Sequence, residues 1–426
     1  MHTRRIAASA SAIILAACSA QDRPLTAPPL APSREVTGTS SSDLWQSTVT
    51  GETGPGSTYA LYMPRQWNGA VVYYAHGIRN ILMEPEVSLR DQDNHQAIRD
   101  QLGAQGYAFA YSSFDENGYV VKDAAQRTHQ LRGLFASQFG QPQRSLLVGH
   151  SLGGLVALDL AERFSKQYDG VASFCGVTGG TQAELDHIVN TRMLFDMYYP
   201  GLLQGAFDQI PPGYNIDPRV DPATIGRIQS AILANPVGLL VIANTMQAGV
   251  EFVPDPRFAL STMVQSVVTK LVFHAAGYDN LLAQTNGKFP FDNTTTAYRA
   301  ASPIVVPPPL DALIPKALIQ AQIASLDARV PRTSGDNVAL SYTDRYFTPS
   351  GALTVPTITL HNTFDPLVPY FHEPLFADRV VKAGASNLLV QRTNPGYGHC
   401  NLGVAEQVRA ILDLDEWVKT GVRPQS

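Results

Sequence analysis

The stretch RSLLVGHSLGGLVALDLAERF, residues 144–164, restricts the fold of this chain more than any other. An apolar run reaches Gly149, a single serine stands at 151 between Gly149 and Gly153, and helical periodicity follows at once. An unalternating apolar run of this length is expected of a strand covered on both faces. A strand that passes directly into a helix through G-x-S-x-G requires a sharp turn. Its glycines let strand and helix approach closely, and the turn lifts the serine hydroxyl clear of the backbone. The competing reading is an ordinary glycine-rich turn that happens to contain a serine, and the remainder of the chain has to decide between the two.

The surrounding pattern has the rhythm of a parallel sheet. TYALYMP (58–64), AVVYYAHG (70–77), YAFAYSS (107–113), RSLLVGHS (144–151) and GVASFCGV (170–177) read as strands. Between them DQDNHQAIRDQLGAQG closes on Gly106 and VKDAAQRTHQLRGLFASQFG closes on Gly140, both with the spacing of amphipathic helices ended by a C-cap glycine. Strands alternating with helices predict a mostly parallel α/β sheet with helices on both faces. The rhythm stops at about residue 178 and resumes at about 352, with VPTITLHNTFDP (355–366), NLLVQRT (387–393) and the helix GVAEQVRAILDLDEWVKTG (403–421). Residues 178–351 are rich in Leu, Met, Tyr, Phe and Pro, with helical pieces such as AELDHIVNTRMLFDMYYPGLL. The expected organisation is one core, residues 44–177 and 352–426, interrupted by a mainly helical insertion the size of a small domain.

The chain begins MHTRRIAASASAIILAAC. A basic start and a short apolar run have the form of a signal peptide. The run closes on Leu15-Ala16-Ala17-Cys18, which resembles the lipobox of bacterial lipoproteins, whose cysteine is acylated and becomes the mature N-terminus. That resemblance implies residues 1–18 as signal, lipid anchorage through Cys18, and, with Ser19 after it, sorting to the outer membrane. The alternative is cleavage after CSA and a soluble periplasmic or secreted protein. The Pro-, Ser- and Thr-rich residues 19–43 are expected to be a tether. The formal net charge of −5 carries no basic stripe and excludes a nucleic-acid reading. Neither metal-ligand spacing nor a nucleotide-binding glycine pattern is present, so no metal or cofactor is expected.

A serine hydroxyl needs a base to become a nucleophile, and the base needs an acid to orient it. The strand–G-x-S-x-G–helix turn resembles that of the α/β-hydrolases, and that resemblance implies the order serine, acid, base along the chain. Asp365 in NTFDPLVP follows the strand TITLH, and His399 in NPGYGHC precedes the last helix. Each alone could be a loop residue; together they stand in the required order, each after a late strand. Two backbone N–H groups are needed for an oxyanion, expected from Leu152 and from Ile78 in the loop after His76-Gly77. His76, His150 and His361 are expected to pack and hydrogen-bond rather than to react. Of the three cysteines, Cys18 belongs to the leader. Export would permit a disulfide between Cys175 and Cys400, and two buried thiols are the alternative.

With HG at 76–77, GHSLGG at 149–154, DPLVP at 365–369 and GHC at 398–400, the chain resembles the α/β-hydrolase superfamily over residues 58–177 and 352–421. The resemblance implies a mostly parallel eight-stranded sheet with a cap inserted after strand six, and a serine nucleophile that favours ester or amide hydrolysis. GHC further resembles tannase-like and feruloyl-esterase-like enzymes, in which the cysteine beside the histidine bridges one beside the serine. Here His150 occupies that place, and Cys175 is the partner within reach. The expectation is an exported serine esterase acting on a small-molecule or polymeric ester. Two alternatives stand beside it: a peptidase or amidase of the same fold, with Glu184 and Asp186 as candidate grips for an amine, and a non-catalytic binding protein on this scaffold.

Overall fold

The structure is a computed structural model and describes residues 44–54, 56–79 and 95–425. The predicted leader with Cys18, and the tether up to residue 43, lie outside the described residues. Eight strands form one sheet: β1 (Trp45–Gly54), β2 (Ser57–Pro64), β3 (Ala70–Ala75), β4 (Ala108–Ser112), β5 (Arg144–His150), β6 (Gly170–Phe174), β7 (Thr357–Phe364) and β8 (Leu389–Tyr397). Their order is β1-β2-β4-β3-β5-β6-β7-β8. Strand β2 runs antiparallel to β1 and β4, and every pairing from β4 to β8 is parallel.

The unbroken apolar runs follow from burial on two sides. Successive side chains of a strand point to opposite faces. On β3, Val71 and Tyr73 join the cluster that also holds Leu147, Leu155, Val156 and Phe376. Val72 and Tyr74 join the cluster on the other face, with Val148, Ile358, Ile98 and Leu414. Helices α2 (Val121–Phe139), α3 (Leu152–Arg163) and α10 (His372–Lys382) bury their apolar residues in the first cluster. Helices α1 (His95–Ala104) and α11 (Val404–Thr420) do so in the second.

Between β6 and β7 lie six α-helices among the described residues: α4 (Thr181–Tyr198), α5 (Pro222–Ala234), α6 (Pro236–Asn244), α7 (Ala259–Gln284), α8 (Lys316–Ala324) and α9 (Asn337–Phe347). The first five bury one another around a separate core that includes Met193, Phe195, Ile228, Leu240, Met263, Leu271 and Ile319, whereas Tyr342 and Tyr346 of α9 pack against the first cluster of the sheet. Their starts are set locally. Asp221 caps α5 by accepting from the Thr224 amide, and Asp336 caps α9 by accepting from Val338 and Ala339. Among the described residues no single helix is long and apolar enough to cross a membrane.

Candidate active site

Ser151 is the hinge between β5 and α3, at φ 55° and ψ −120°. A serine holds that left-handed conformation only where its surroundings over-determine it. Here they do. A Cβ on Gly149 would fall 2.0 Å from the Gly153 carbonyl oxygen, and one on Gly153 would fall 2.0 Å from that of Ala75. Both positions are therefore closed to any side chain, which is the physical content of the G-x-S-x-G spacing. Ser151 donates its own amide to the Phe174 carbonyl of β6 at 2.9 Å and accepts from Gly154 at the same distance.

Three side chains from three distant segments meet at the carboxyl ends of the strands. His399 Nε2 lies 2.9 Å from Ser151 Oγ, and His399 Nδ1 lies 2.8 Å from Asp365 Oδ2. Asp365 is completely buried, while the His399 side chain keeps 22% of its surface exposed. The sealed carboxylate must accept, so Nδ1–H donates to it and the Nε2 lone pair is left to face the serine hydroxyl. The other carboxylate oxygen, Oδ1, accepts from the amides of Leu367 at 2.9 Å and Val368 at 3.0 Å. Burial pushes the Asp365 carboxyl up. The His399 and His361 imidazoles and the Leu367 amide outweigh that and hold it below the ordinary carboxylate value.

Behind the acid lies a second, fully buried layer. His361 on β7 donates from Nε2 to the Val368 carbonyl at 2.9 Å and stands 3.8 Å from Asp365 Oδ2, with its Nδ1 3.4 Å from Glu373. Burial alone would lower its pKa; the Glu373 and Asp365 carboxylates reverse this and raise it to about 9. His361 thus sits as an imidazolium between two carboxylates. Glu373 in turn accepts from Gln391 at 2.6 Å and from Thr359. The sequence allows His361 either a core place or one in a layer supporting the reacting groups; the structure shows the supporting layer, completed by Glu373, twelve residues on, turning back beneath β7.

The loop after β3 runs against the serine. A Cβ on Gly77 would lie 3.2 Å from Ser151 Cβ and 3.8 Å from its Oγ. This places the backbone of Gly77-Ile78 beside Ser151, with Leu152 on the other side as the first residue of α3, where its N–H belongs to the unpaired first turn. His76 is held within the loop, its Nδ1 2.6 Å from the Gly77 carbonyl and its Nε2 3.2 Å from that of Ser113. His150 points to the opposite face of the sheet, where its Nε2 meets the Gln407 side chain and its Nδ1 lies 3.0 Å from the Tyr74 hydroxyl. Gln407 then donates to the Leu402 carbonyl at 3.0 Å, so this side chain braces the loop that follows His399.

Cys175 and Cys400 are joined in a disulfide, so they are not the two separate thiols of the alternative reading. Glu184 and Asp186 do not form a paired grip. Glu184 accepts from His372 at 2.7 Å, and Asp186 accepts from Gln182 at 2.7 Å.

The Esterase family model matches residues 95–196, the segment that contains the Ser151 turn. The strand order β1-β2-β4-β3-β5-β6-β7-β8, with β2 alone reversed and a serine turn at the end of β5, decides the architecture. The chain has the α/β-hydrolase fold. Within it, the matched segment marks a carboxylic ester hydrolase. A relative similar over most of this hydrolase is the o-phthalyl amidase of Xanthobacter agilis, 23% identical over 87% of this chain and 88% of that protein. Among solved structures, an esterase from Aspergillus oryzae is 13% identical over 86% of this chain and 78% of its own, with a TM-score of 0.45. Feruloyl esterase B from the same fungus is 12% identical over 88% and 81%, with a TM-score of 0.44.

Proposed function

We propose that the hydrolase is an exported serine esterase that works through an acyl-enzyme. The observation that carries this is the continuous path from a buried carboxylate through an imidazole to a strained serine, with separations of 2.8 and 2.9 Å. His399 takes the Ser151 proton as Oγ attacks the ester carbonyl carbon. The Oγ–C bond forms, and the carbonyl oxygen becomes an anion held by the N–H groups of Leu152 and Ile78. Collapse of this intermediate breaks the bond to the leaving alcohol, which receives the proton from His399. Water then attacks the acyl-enzyme through the same base. Asp365 fixes the imidazole tautomer and stabilises the imidazolium. In this reading the insertion is the cap of the acyl pocket, since α7 touches the loops of both Asp365 and His399.

Fluorophosphonate labelling and turnover of nitrophenyl acyl esters test the proposal. Wild type should form one adduct, on Ser151, and Ser151→Ala should lose both label and turnover while remaining folded. A folded Ser151→Ala that still hydrolyses esters at the wild-type rate sinks the assignment.

A second reading, amide hydrolysis, is favoured by the near full-length similarity to o-phthalyl amidase. The same residues serve it, with His399 protonating a leaving amine instead of an alcohol. Aryl amides and phthalyl amides assayed beside the esters separate the two readings by kcat/KM. Export and lipid anchorage rest on LAAC at 15–18 and gain support from a disulfide, which persists in oxidising compartments. Release of a Cys18→Ser variant from the membrane fraction is the expected result.

A further inference from the structure

Helix α7 is largely apolar, yet it carries Thr262, Ser266, Lys270 and His274 at four-residue spacing, one polar stripe along one face. All four are buried, Ser266 and Lys270 completely. Ser266 and Lys270 reach the segments that carry His399 and Asp365 through their side chains, and Thr262 does so through its backbone carbonyl. The Tyr397 hydroxyl, two residues before His399, donates to the Thr262 carbonyl at 3.1 Å and lies 3.0 Å from Ser266 Oγ. Lys270 Nζ donates to the carbonyl of Pro366, the residue after Asp365, at 3.0 Å. His274 lies against the Phe207 carbonyl, within the insertion itself.

A wholly buried ammonium is costly unless its charge and donors are used. The carboxylates of Glu184, Glu251 and Asp365 act on Lys270, while burial pulls its pKa below the ordinary lysine value. A counter-ion for Glu184 and Glu251 alone would need no contact with the acid turn. The hydrogen bond to Pro366 gives it one. In the turn 365–368 the amides of Leu367 and Val368 go to Asp365 Oδ1, and the Val368 carbonyl goes to His361 on the core side. The Pro366 carbonyl is taken from the other side by the insertion. Pro366 has no N–H, so this carbonyl is the only backbone handle by which the residue next to the acid can be held.

We propose that Lys270 is a positioning residue for hydrolysis: through the Pro366 carbonyl it fixes the turn that carries Asp365, so the inserted helix helps set the acid–base geometry. This rests on the reading of Ser151, His399 and Asp365 as the catalytic set. It makes the insertion part of the hydrolytic machinery as well as a cover.

The test is a double-mutant cycle on the full chain with Lys270→Met and Asp365→Asn, read as kcat and KM for a nitrophenyl ester. Methionine matches the lysine stem in volume but leaves the carboxylates around Lys270 without their cation, a loss that destabilises a buried site, so the melting temperature of each variant is read beside kcat. Lys270→Met should lower kcat by about 10- to 100-fold, the scale on which small misplacements of reacting groups act, with KM changed by less than about threefold. In the Asp365→Asn background the same change should cost less than about threefold more, because the residue through which it acts is already disabled. Lys270→Arg, which keeps cation and donor, should recover most of the lost kcat. If Lys270→Met does not fold, Lys270→Gln carries the same cycle. A kcat within about twofold of wild type, or an equal loss in both backgrounds, overturns the proposal. Ser151→Ala run alongside keeps the two claims apart. An active Ser151→Ala refutes the catalytic reading itself, whereas an inactive one beside a fully active Lys270→Met removes only the role of Lys270.

Discussion

Cys175 and Cys400, 225 residues apart in sequence, are bonded through their sulfurs with their Cα atoms 5.2 Å apart. Cys175 follows directly on β6, whose Phe174 carbonyl accepts from the Ser151 amide, and Cys400 follows His399. Both adopt left-handed backbone, at φ 43° and 53°. The bond therefore ties the loop of His399 to the strand beside Ser151. Replacing both cysteines by alanine should cost about 2–4 kcal/mol of stability and lower kcat, because the base loop loses its covalent anchor. Thermal unfolding with and without reductant, together with turnover, checks this. Equal melting and equal turnover in both states would show that the bridge holds nothing.

Two glycines of one motif and a third elsewhere should respond in opposite directions. Gly149→Ala and Gly153→Ala each drive a Cβ to 2.0 Å from a backbone oxygen, and backbone cannot step aside as a flexible side chain can. Both should lose several kcal/mol, on the order of the worst overpacking substitutions, or fail to fold. Gly133 lies exposed inside α2 with nothing within 4 Å of an added Cβ. Gly133→Ala should instead stabilise by about 0.5–1 kcal/mol through helix propensity. Urea midpoints of the three variants measure the contrast.

Most of the sheet was legible because strands buried on both faces write themselves as apolar runs, as in SLLV and AVVYYA. Their ends were less so. AVVYYAHG suggests a strand to Gly77, but pairing stops at Ala75, where the chain must cross Ser151. NLLVQRT suggests an end at Thr393, but β8 continues to Tyr397 beside Phe364. That Ser151, Asp365 and His399 could meet was legible from their order along the chain, since each sits just past a strand. The place of Lys270 was not. Nothing in VVTKLVF marks this lysine as buried; only the packing of α7 against the turn of Asp365 buries it. The insertion showed its composition but not its architecture, because its helices are covered by each other and so lack a single apolar stripe.

Asp365→Asn keeps the volume of the acid and removes its charge. Its side-chain amide presents a donor where His399 Nδ1–H needs an acceptor, so the imidazole is pushed to the tautomer that cannot take the Ser151 proton. By analogy with other triads kcat should fall about 10³- to 10⁴-fold with KM little changed. Loss should also appear as slower fluorophosphonate labelling of Ser151, since both reactions need the same base. A variant with slow turnover but wild-type labelling would place the role of Asp365 after acylation.

Glu251, partly buried between α6 and α7, gives the pH prediction. Burial pushes its carboxyl up to about 7, with the Asp365 carboxylate adding to the rise; the Lys270 ammonium, His361 and the Tyr370 amide pull it down without cancelling it. The folded chain thus binds this proton more tightly than the unfolded chain does. The resulting stabilisation is complete below the ordinary value of 4.5 and is lost as pH rises through about 7. Asp123, Asp159 and Asp186 are each raised to about 6 and contribute in the same direction, so wild type alone does not isolate Glu251. Glu251→Gln, neutral at every pH, removes its share. The melting temperature of the variant relative to wild type should rise between pH 5 and pH 8 by an amount equivalent to about 1–2 kcal/mol. A difference that stays flat across that range would mean that the Glu251 carboxyl titrates as it does in water.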